Sequence, residues 1–308
     1  MHRRAHFEWK LRTRSLALDT ATRVMGILNV TPDSFSDGGL LRSVDDAVDT
    51  ALAMFADGAA IVDVGGESTR PGASGAISTQ QEIDRVVPVI EGIRRALPDA
   101  LLSIDTYRAA TAQAAIAAGA EIVNDVSGLL WDDAMAATCA DLPCGLILMH
   151  ARGRPSDWKS LPRLAPDEVL PLVKRELAER LSVAIAAGIA ANSIILDPGF
   201  GFGKMQDANY ALLRGLPELA ALGQPLLAGV SRKSFLGHTL APLYGVANAP
   251  VSAREHATLA ASTIAILMGA SLVRVHQVRP AVEAALIADA AIAADAALAG
   301  DATLSAGQ

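Results

Sequence analysis

The chain has 308 residues, 51% of them hydrophobic, with 26 Lys and Arg against 33 Asp and Glu for a formal net charge of −7. A chain of this length buries a large core and fits one large domain or two ordinary ones, while the acidic balance and the lack of an aromatic-basic stripe exclude a nucleic-acid surface. The longest run free of Asp, Glu, Lys, Arg and His, 257–273, is rich in Ala, Ser, Thr and Gly and too short for a membrane span, so it reads as a buried helix entering a strand.

Taken in chain order, "MHRRAHFEWKLRTRS" is basic but has no apolar segment of the secretory kind, so a cytoplasmic protein is the expectation. Residues 1–23 read as an N-terminal extension packing at the bottom of the fold. From residue 24, short apolar runs alternate with Ala-rich segments of helical period. The strands are "VMGILN", "AAIVDVGG", "ALLSID", "EIVNDVS", "GLILMH", "SIILDPG", "PLLAGVS" and "SLVRVH". Helices are expected over 45–57, 80–97, 108–118, 166–187, 209–221, 253–269 and 279–297. Cys139 and Cys144 lack metal or redox spacing and read as buried thiols. The tail 299–308 reads as disordered.

Eight βα repeats close a (β/α)8 TIM barrel, a single domain over 24–298. An open doubly wound sheet has the same alternation, but it gathers its ligand groups at one switch point. Here each strand ends on polar residues: Asn29, Asp63 with Glu67, Asp105, Asn124 with Asp125, His150, Asp197, Ser231 to Lys233, and Arg274 with His276. A barrel collects such groups on one face, and a core tolerates so many only where they converge on something.

Asp105, Asn124 and Asp197 follow "LLSI", "EIV" and "IIL" and so project into the barrel mouth. Carboxylates accept only and a carboxamide both accepts and donates, which suits the N–H-rich edge of a guanine- or pterin-like heterocycle. The competing readings are a pair of metal-binding aspartates, or Asp105 as a helix N-cap. Ser231, Arg232 and Lys233 follow strand seven and Arg274 and His276 end strand eight, where barrels often bind phosphate; inward ion pairs remain the other reading of Arg274. In "DVGGESTRPGA", Glu67 and Arg70 are candidates for mutual pairing. "DPGFGFGK" is not a Walker loop, since Pro198 and Met205 stand where Gly and Ser or Thr are required, and Phe200 and Phe202 read as apolar walls. Met149 is assigned to the ligand wall and His150 is left without a role.

These motifs, together with "GILNVTPDSFSDGG", "EIDRVVPVI", "MHARGRP" and "GVSRKSF", resemble the dihydropteroate synthase family in family order over about residues 24–278. The resemblance implies a transferase of folate biosynthesis that joins a dihydropterin-methyl diphosphate to p-aminobenzoate with Mg²⁺, in a homodimer packed through its late helices. It implies pterin contacts at Asp105, Asn124, Met149, Asp197, Phe202 and Lys233. Diphosphate contacts fall at Asn29, Arg274 and His276, with Asn29 at the metal. Aminobenzoate contacts, where sulfonamides compete, fall at Phe35, Thr69, Arg70, Phe202 and Ser231. Catalytic weight falls on Asp33, Asp105, Lys233, Arg274 and His276. Gln277 departs from the acid usual after the His, which leaves a non-catalytic pterin-binding paralogue as the alternative. A folate-dependent methyltransferase domain is the other, but it should lack the "NVTPDSFSDGG" and "SRKSF" loops.

Overall fold

The structure is a computed structural model that describes residues 5–30, 43–67, 77–158 and 160–305. After a hairpin of β1 (Glu8–Lys10) and β2 (Ser15–Ala17), eight strands form one parallel sheet. They are β3 (Arg23–Asn29), β4 (Ile61–Gly65), β5 (Leu102–Asp105), β6 (Ile122–Asp125), β7 (Gly145–Met149), β8 (Ile194–Asp197), β9 (Leu227–Ala228) and β10 (Leu272–Val275). The sheet runs in the order β8-β7-β6-β5-β4-β3-β10-β9. A parallel bridge from Leu196 to Leu226 and a hydrogen bond from the Leu196 N–H to the Pro225 carbonyl (3.0 Å) join its two ends into a barrel.

Period-two alternation sorts the side chains. Val62, Val64, Ile104, Val123, Leu146, Leu148, Val273 and Val275 face outward into the main core under the helices. Met25, Ile61, Leu101, Ile122, Ile147, Ile195, Leu227 and Leu272 face inward at the strand starts and pack on Trp9, Leu11 and Leu18. Trp9, Leu11 and Leu18 thus bring the β1–β2 hairpin and its flanking residues against the inward side chains of the barrel. The Trp9 indole N–H is satisfied by the Ser193 carbonyl at 2.8 Å, which lets an aromatic with a polar edge stay buried.

The helices are α1 (Val44–Ala56), α2 (Thr79–Ala96), α3 (Ala109–Ala118), α4 (Met135–Asp141), α5 (Pro166–Ala186), α6 (Asp207–Arg214), α7 (Leu216–Leu219), α8 (Ser234–Tyr244), α9 (Glu255–Leu267) and α10 (Val278–Ser305). The helix expected over 209–221 is split into α6, α7 and a short 3₁₀ turn, because Gly215 and Pro217 interrupt it. The helices α4 and α8 were not expected: the first is a short helix that contains Cys139, and the second carries Gly237 and Pro242, residues of low helix propensity. The last helix runs on to Ser305, across most of the stretch expected to be a disordered tail, where Ala and Leu favour helix.

Candidate active site at the barrel mouth

Sheet register builds the mouth. Asn29 pairs with Gly65, Gly65 with Asp105, and Asp105 with Asn124, so one row across β3 to β6 brings three polar side chains together around a glycine. Gly65 keeps the row open: a β-carbon there would stand 3.5 Å from that of Asp105 and 3.7 Å from Asn29 Oδ1. Further round the barrel, Met149 pairs with Asp197. These residues line one cavity of about 310 Å³. Phe202, Ser231, Lys233, Arg274 and His276 close it from the other side. All ten expected site residues that lie among the described residues thus meet in one place. Asp33, Phe35, Thr69 and Arg70 lie outside the described residues.

Three strand-end residues do not join them: Asp63, which lies beneath, Asp125 and His150. Asp125 follows Asn124 and so faces the opposite side of its strand. It accepts hydrogen bonds from the Ser127 N–H (2.8 Å), the Ser127 hydroxyl (2.7 Å) and the Leu129 N–H (2.7 Å), a turn-building role. His150 packs beside α5 with Nε2 on Glu176 at 2.9 Å, and burial together with nearby Lys204 pulls its imidazole down to about 4. Nor is Asp105 an N-cap, since the Ala109 N–H that opens α3 donates to Asp132 (2.8 Å). Phe200 and Phe202 both line the cavity, but Phe200 is 1% exposed and tilted against Phe235 in the core, whereas Phe202 stands at the mouth edge-on to Trp158.

The floor of the cavity is an ion-pair chain. Arg274 Nε donates to Asp63 Oδ2 and its Nη2 donates to Asp105 Oδ2, each at 2.6 Å. The inward pairing kept open for Arg274 is therefore present. Burial pushes the Asp105 carboxyl up to about 7 against the pull of Arg274, and Asp63 adds to the rise. Burial alone would lower Arg274, but Asp63 and Asp105 outweigh it and hold the guanidinium above its ordinary value. The side chains of Arg274 and Asp105 keep 19% and 14% of their surface open to the mouth.

The opposite wall hangs on the loop after β8. The Gly199 N–H donates to Asp197 Oδ1 at 2.7 Å, and Gly199 adopts φ +67, where a β-carbon would collide with the His150 carbonyl. Burial raises the Asp197 carboxyl to about 6, opposed by that N–H and by Lys233. The Lys233 ammonium lies 3.9 Å from the centre of the Phe202 ring, a cation–π contact. Between Ser231 and Lys233, Arg232 adopts φ +58, a costly conformation for a side-chain-bearing residue. Its N–H is held by Thr258 (3.0 Å), its carbonyl by Arg254 (2.9 Å) and its guanidinium by Glu255. Ser231 Oγ and His276 Nδ1 share a 2.9 Å hydrogen bond.

Three supporting groups were not assigned from sequence. Lys204, 3% exposed, donates to the carbonyls of His150 (3.1 Å), Gly199 (2.7 Å) and Phe202 (3.1 Å), and burial brings its ammonium down to about 7. It ties the loop after β7 to the loop after β8. Arg108 binds Glu67 (2.6 Å), Glu82 (2.9 Å) and the Ile77 carbonyl (2.9 Å), so Glu67 pairs with Arg108. Asp63 lies below the row of cavity residues and is fully buried.

Fold and mouth together define a parallel (β/α)8 barrel whose mouth sets carboxylates and a carboxamide beside cationic side chains, an arrangement suited to a small-molecule ligand. The pterin-binding enzyme family matches residues 25–276. A dihydropteroate synthase of Mycobacterium leprae is 48% identical over 264 residues, 85% of this chain and 90% of that one. The structure of Xanthomonas albilineans dihydropteroate synthase with 4-aminobenzoic acid superimposes with a TM-score of 0.81 at 41% identity, covering 92% of this chain and 98% of that one. Burkholderia cenocepacia dihydropteroate synthase complexed with 7,8-dihydropteroate gives a TM-score of 0.81 at 37% identity, covering 94% and 98%. This chain belongs to the pterin-binding enzymes and, within them, to the dihydropteroate synthase family.

Proposed function

We propose that the protein condenses a (7,8-dihydropterin-6-yl)methyl diphosphate with p-aminobenzoate, giving 7,8-dihydropteroate and diphosphate. The observation that carries this reading is the convergence of Asp105, Asn124 and Asp197 with Lys233, Arg274 and His276 in one cavity. Acceptors on one side suit the amino-pyrimidine edge of the pterin, and cations on the other suit the diphosphate. Met149 and Phe202 supply apolar surface for the ring faces.

In the reaction the C–O bond to the diphosphate breaks, the aniline nitrogen forms the new C–N bond, and one amine proton is released. The electron-rich pterin carries the developing positive charge, which the carboxylates of Asp105 and Asp197 stabilise in a low-dielectric mouth. Arg274 and His276 hold the leaving group and Lys233 orients the pterin. Aminobenzoate then meets Ser231 and Phe202, with Asp33, Phe35, Thr69 and Arg70 as the proposed remainder of its subsite.

Mg²⁺ keeps most of its waters and takes one or two protein oxygens beside substrate phosphates. Among the described residues no cluster of three or more His, Cys, Asp or Glu side chains could cage a metal, while the single amide oxygen of Asn29 at the mouth suits an ion carried in on the diphosphate. Bound there, the ion supplies charge neutralisation of the leaving group. Gln277, in place of the family's acid, is exposed and is not among the residues that line the cavity, which weighs against the non-catalytic alternative. A homodimer is proposed through the late helices, where Ile264, Leu286 and Ile287 are exposed apolar side chains. No helix among the described residues is long and apolar enough to cross a membrane, and a cytoplasmic location is proposed with it.

Purified protein with Mg²⁺, the dihydropterin diphosphate and labelled p-aminobenzoate is expected to yield labelled dihydropteroate. No product above a heat-killed control, with pterin binding intact, would replace this reading with the non-catalytic one.

A further inference from the structure

Asp63 does not line the cavity, yet three groups that do are fixed through it. One oxygen, Oδ2, accepts from Arg274 Nε at 2.6 Å and from Asn124 Nδ2 at 2.9 Å. Through Arg274 the chain reaches Asp105 at a further 2.6 Å. The residue is 0% exposed and sits on β4 opposite Ser103 of β5. It therefore cannot touch a ligand in the mouth, and its influence on one must pass through its partners.

The consequence for Asn124 is chemical. An ionised carboxylate only accepts, so it rejects the carbonyl end of the amide and holds the NH₂ end. With Nδ2 turned to Asp63, Oδ1 is turned away from it, and the cavity receives an acceptor. Were the carboxylate absent, the amide could turn over and present the donor end to ligand N–H groups. The consequence for Arg274 is mechanical. Asp63 keeps Nε, so the guanidinium stays anchored while the Nη2 contact passes from Asp105 to an arriving anion. That exchange frees Asp105 Oδ2 for the pterin.

We propose that Asp63 is a positioning residue that fixes the acceptor face of Asn124 and anchors Arg274, and so makes the cavity selective for a heterocycle edge rich in N–H groups. This inference rests on the pterin and diphosphate reading of the cavity. It separates the two substrates, because Asn124 and Asp105 face the pterin and neither is placed against aminobenzoate.

The test removes the shared acceptor and then restores it. Asp63→Ala is expected to raise KM for the pterin diphosphate about ten- to hundredfold, the loss typical of one charge-assisted hydrogen bond, with KM for aminobenzoate within about twofold of wild type; Asp63→Ser, whose side chain ends one bond short of Oδ2, repeats the removal should the alanine variant not fold. Asp63→Asn can keep its carbonyl oxygen where Oδ2 stands, accepting from both Asn124 Nδ2 and Arg274 Nε, and is expected to recover most of the lost pterin affinity. An Asp63→Asn variant no better than Asp63→Ala, or equal losses for both substrates, would overturn the proposal. Wild-type turnover reports separately on the reaction itself. If wild type binds a pterin but makes no product, calorimetric titration of that pterin into the same variants still decides the role of Asp63.

Discussion

Replacing Asp197 by Asn should move function and stability in opposite directions. The Gly199 N–H approaches Oδ1 at 2.7 Å from a backbone held at φ +67, so the new amide must keep its carbonyl there to avoid setting donor against donor. Its NH₂ group then occupies the position of Oδ2 and meets ligand N–H groups with a donor. Loss of one charge-assisted hydrogen bond is worth about 3 kcal/mol at the upper end, or roughly a hundredfold in pterin affinity. For the ligand-free protein the balance reverses. Burial raises this carboxyl from 3.8 to about 6, a difference of roughly 3 kcal/mol between its protonated and ionised forms. Because the folded value lies above the unfolded one, that favourable contribution is complete below 3.8 and lost as pH rises through about 6. The amide does not titrate, so the variant should exceed wild type by about 1–3 kcal/mol at pH 8, with the difference fading by pH 4. Denaturant titrations at the two pH values and calorimetric titration of a pterin measure both effects. Pterin affinity within threefold of wild type, or a variant less stable at pH 8, would refute the reasoning.

Two further outcomes follow from groups outside the cavity. Trp9→Ala should cost about 4 kcal/mol through the cavity it leaves and the lost bond to Ser193, while kcat per folded molecule at 25 °C stays unchanged, because the hairpin and the mouth lie at opposite ends of the barrel; a loss of kcat beyond threefold in folded protein would contradict this. Lys204→Met removes the N–H donors that tie the loops after β7 and β8 and should weaken pterin binding about tenfold. Since burial lowers this ammonium from 10.5 to about 7, the unfolded chain binds the extra proton between those values and wild-type stability rises with pH there. The variant should lack that rise, and equal slopes in denaturant titrations from pH 7 to 10 would show the assignment of Lys204 to be mistaken.

Much of the site was legible because a buried strand announces its polar terminus. Asp105, Asn124, Asp197 and Arg274 each interrupt an apolar run in the phase that faces inward, and the register sets Asp105 beside Asn124 in one row. The same rule misled for Asp125, one residue out of phase, and for His150, which leaves the strand line beside α5. Phase also could not reveal what Asp63 and Lys204 do. Each takes its meaning from partners brought near by the fold, such as Asn124 and Arg274 for Asp63, or the carbonyls of His150 and Gly199 for Lys204. Arg108 shows the same limit: local spacing offered Glu67 a partner at Arg70, and tertiary structure supplies one from the next βα loop. The two unexpected helices were hidden by their own composition, with α8 crossing a glycine and a proline that tertiary packing tolerates.

The barrel is a hoop with a clasp. Seven of its junctions are strand ladders, but β8 and the short β9 meet through the bridge at Leu196 and Leu226. Asp197 ends the strand on one side of that clasp and Lys233 follows the strand on the other. A ligand held by both, as proposed for the pterin, would span the joint from above and act as the missing rung, so that occupying the mouth would also fasten the hoop.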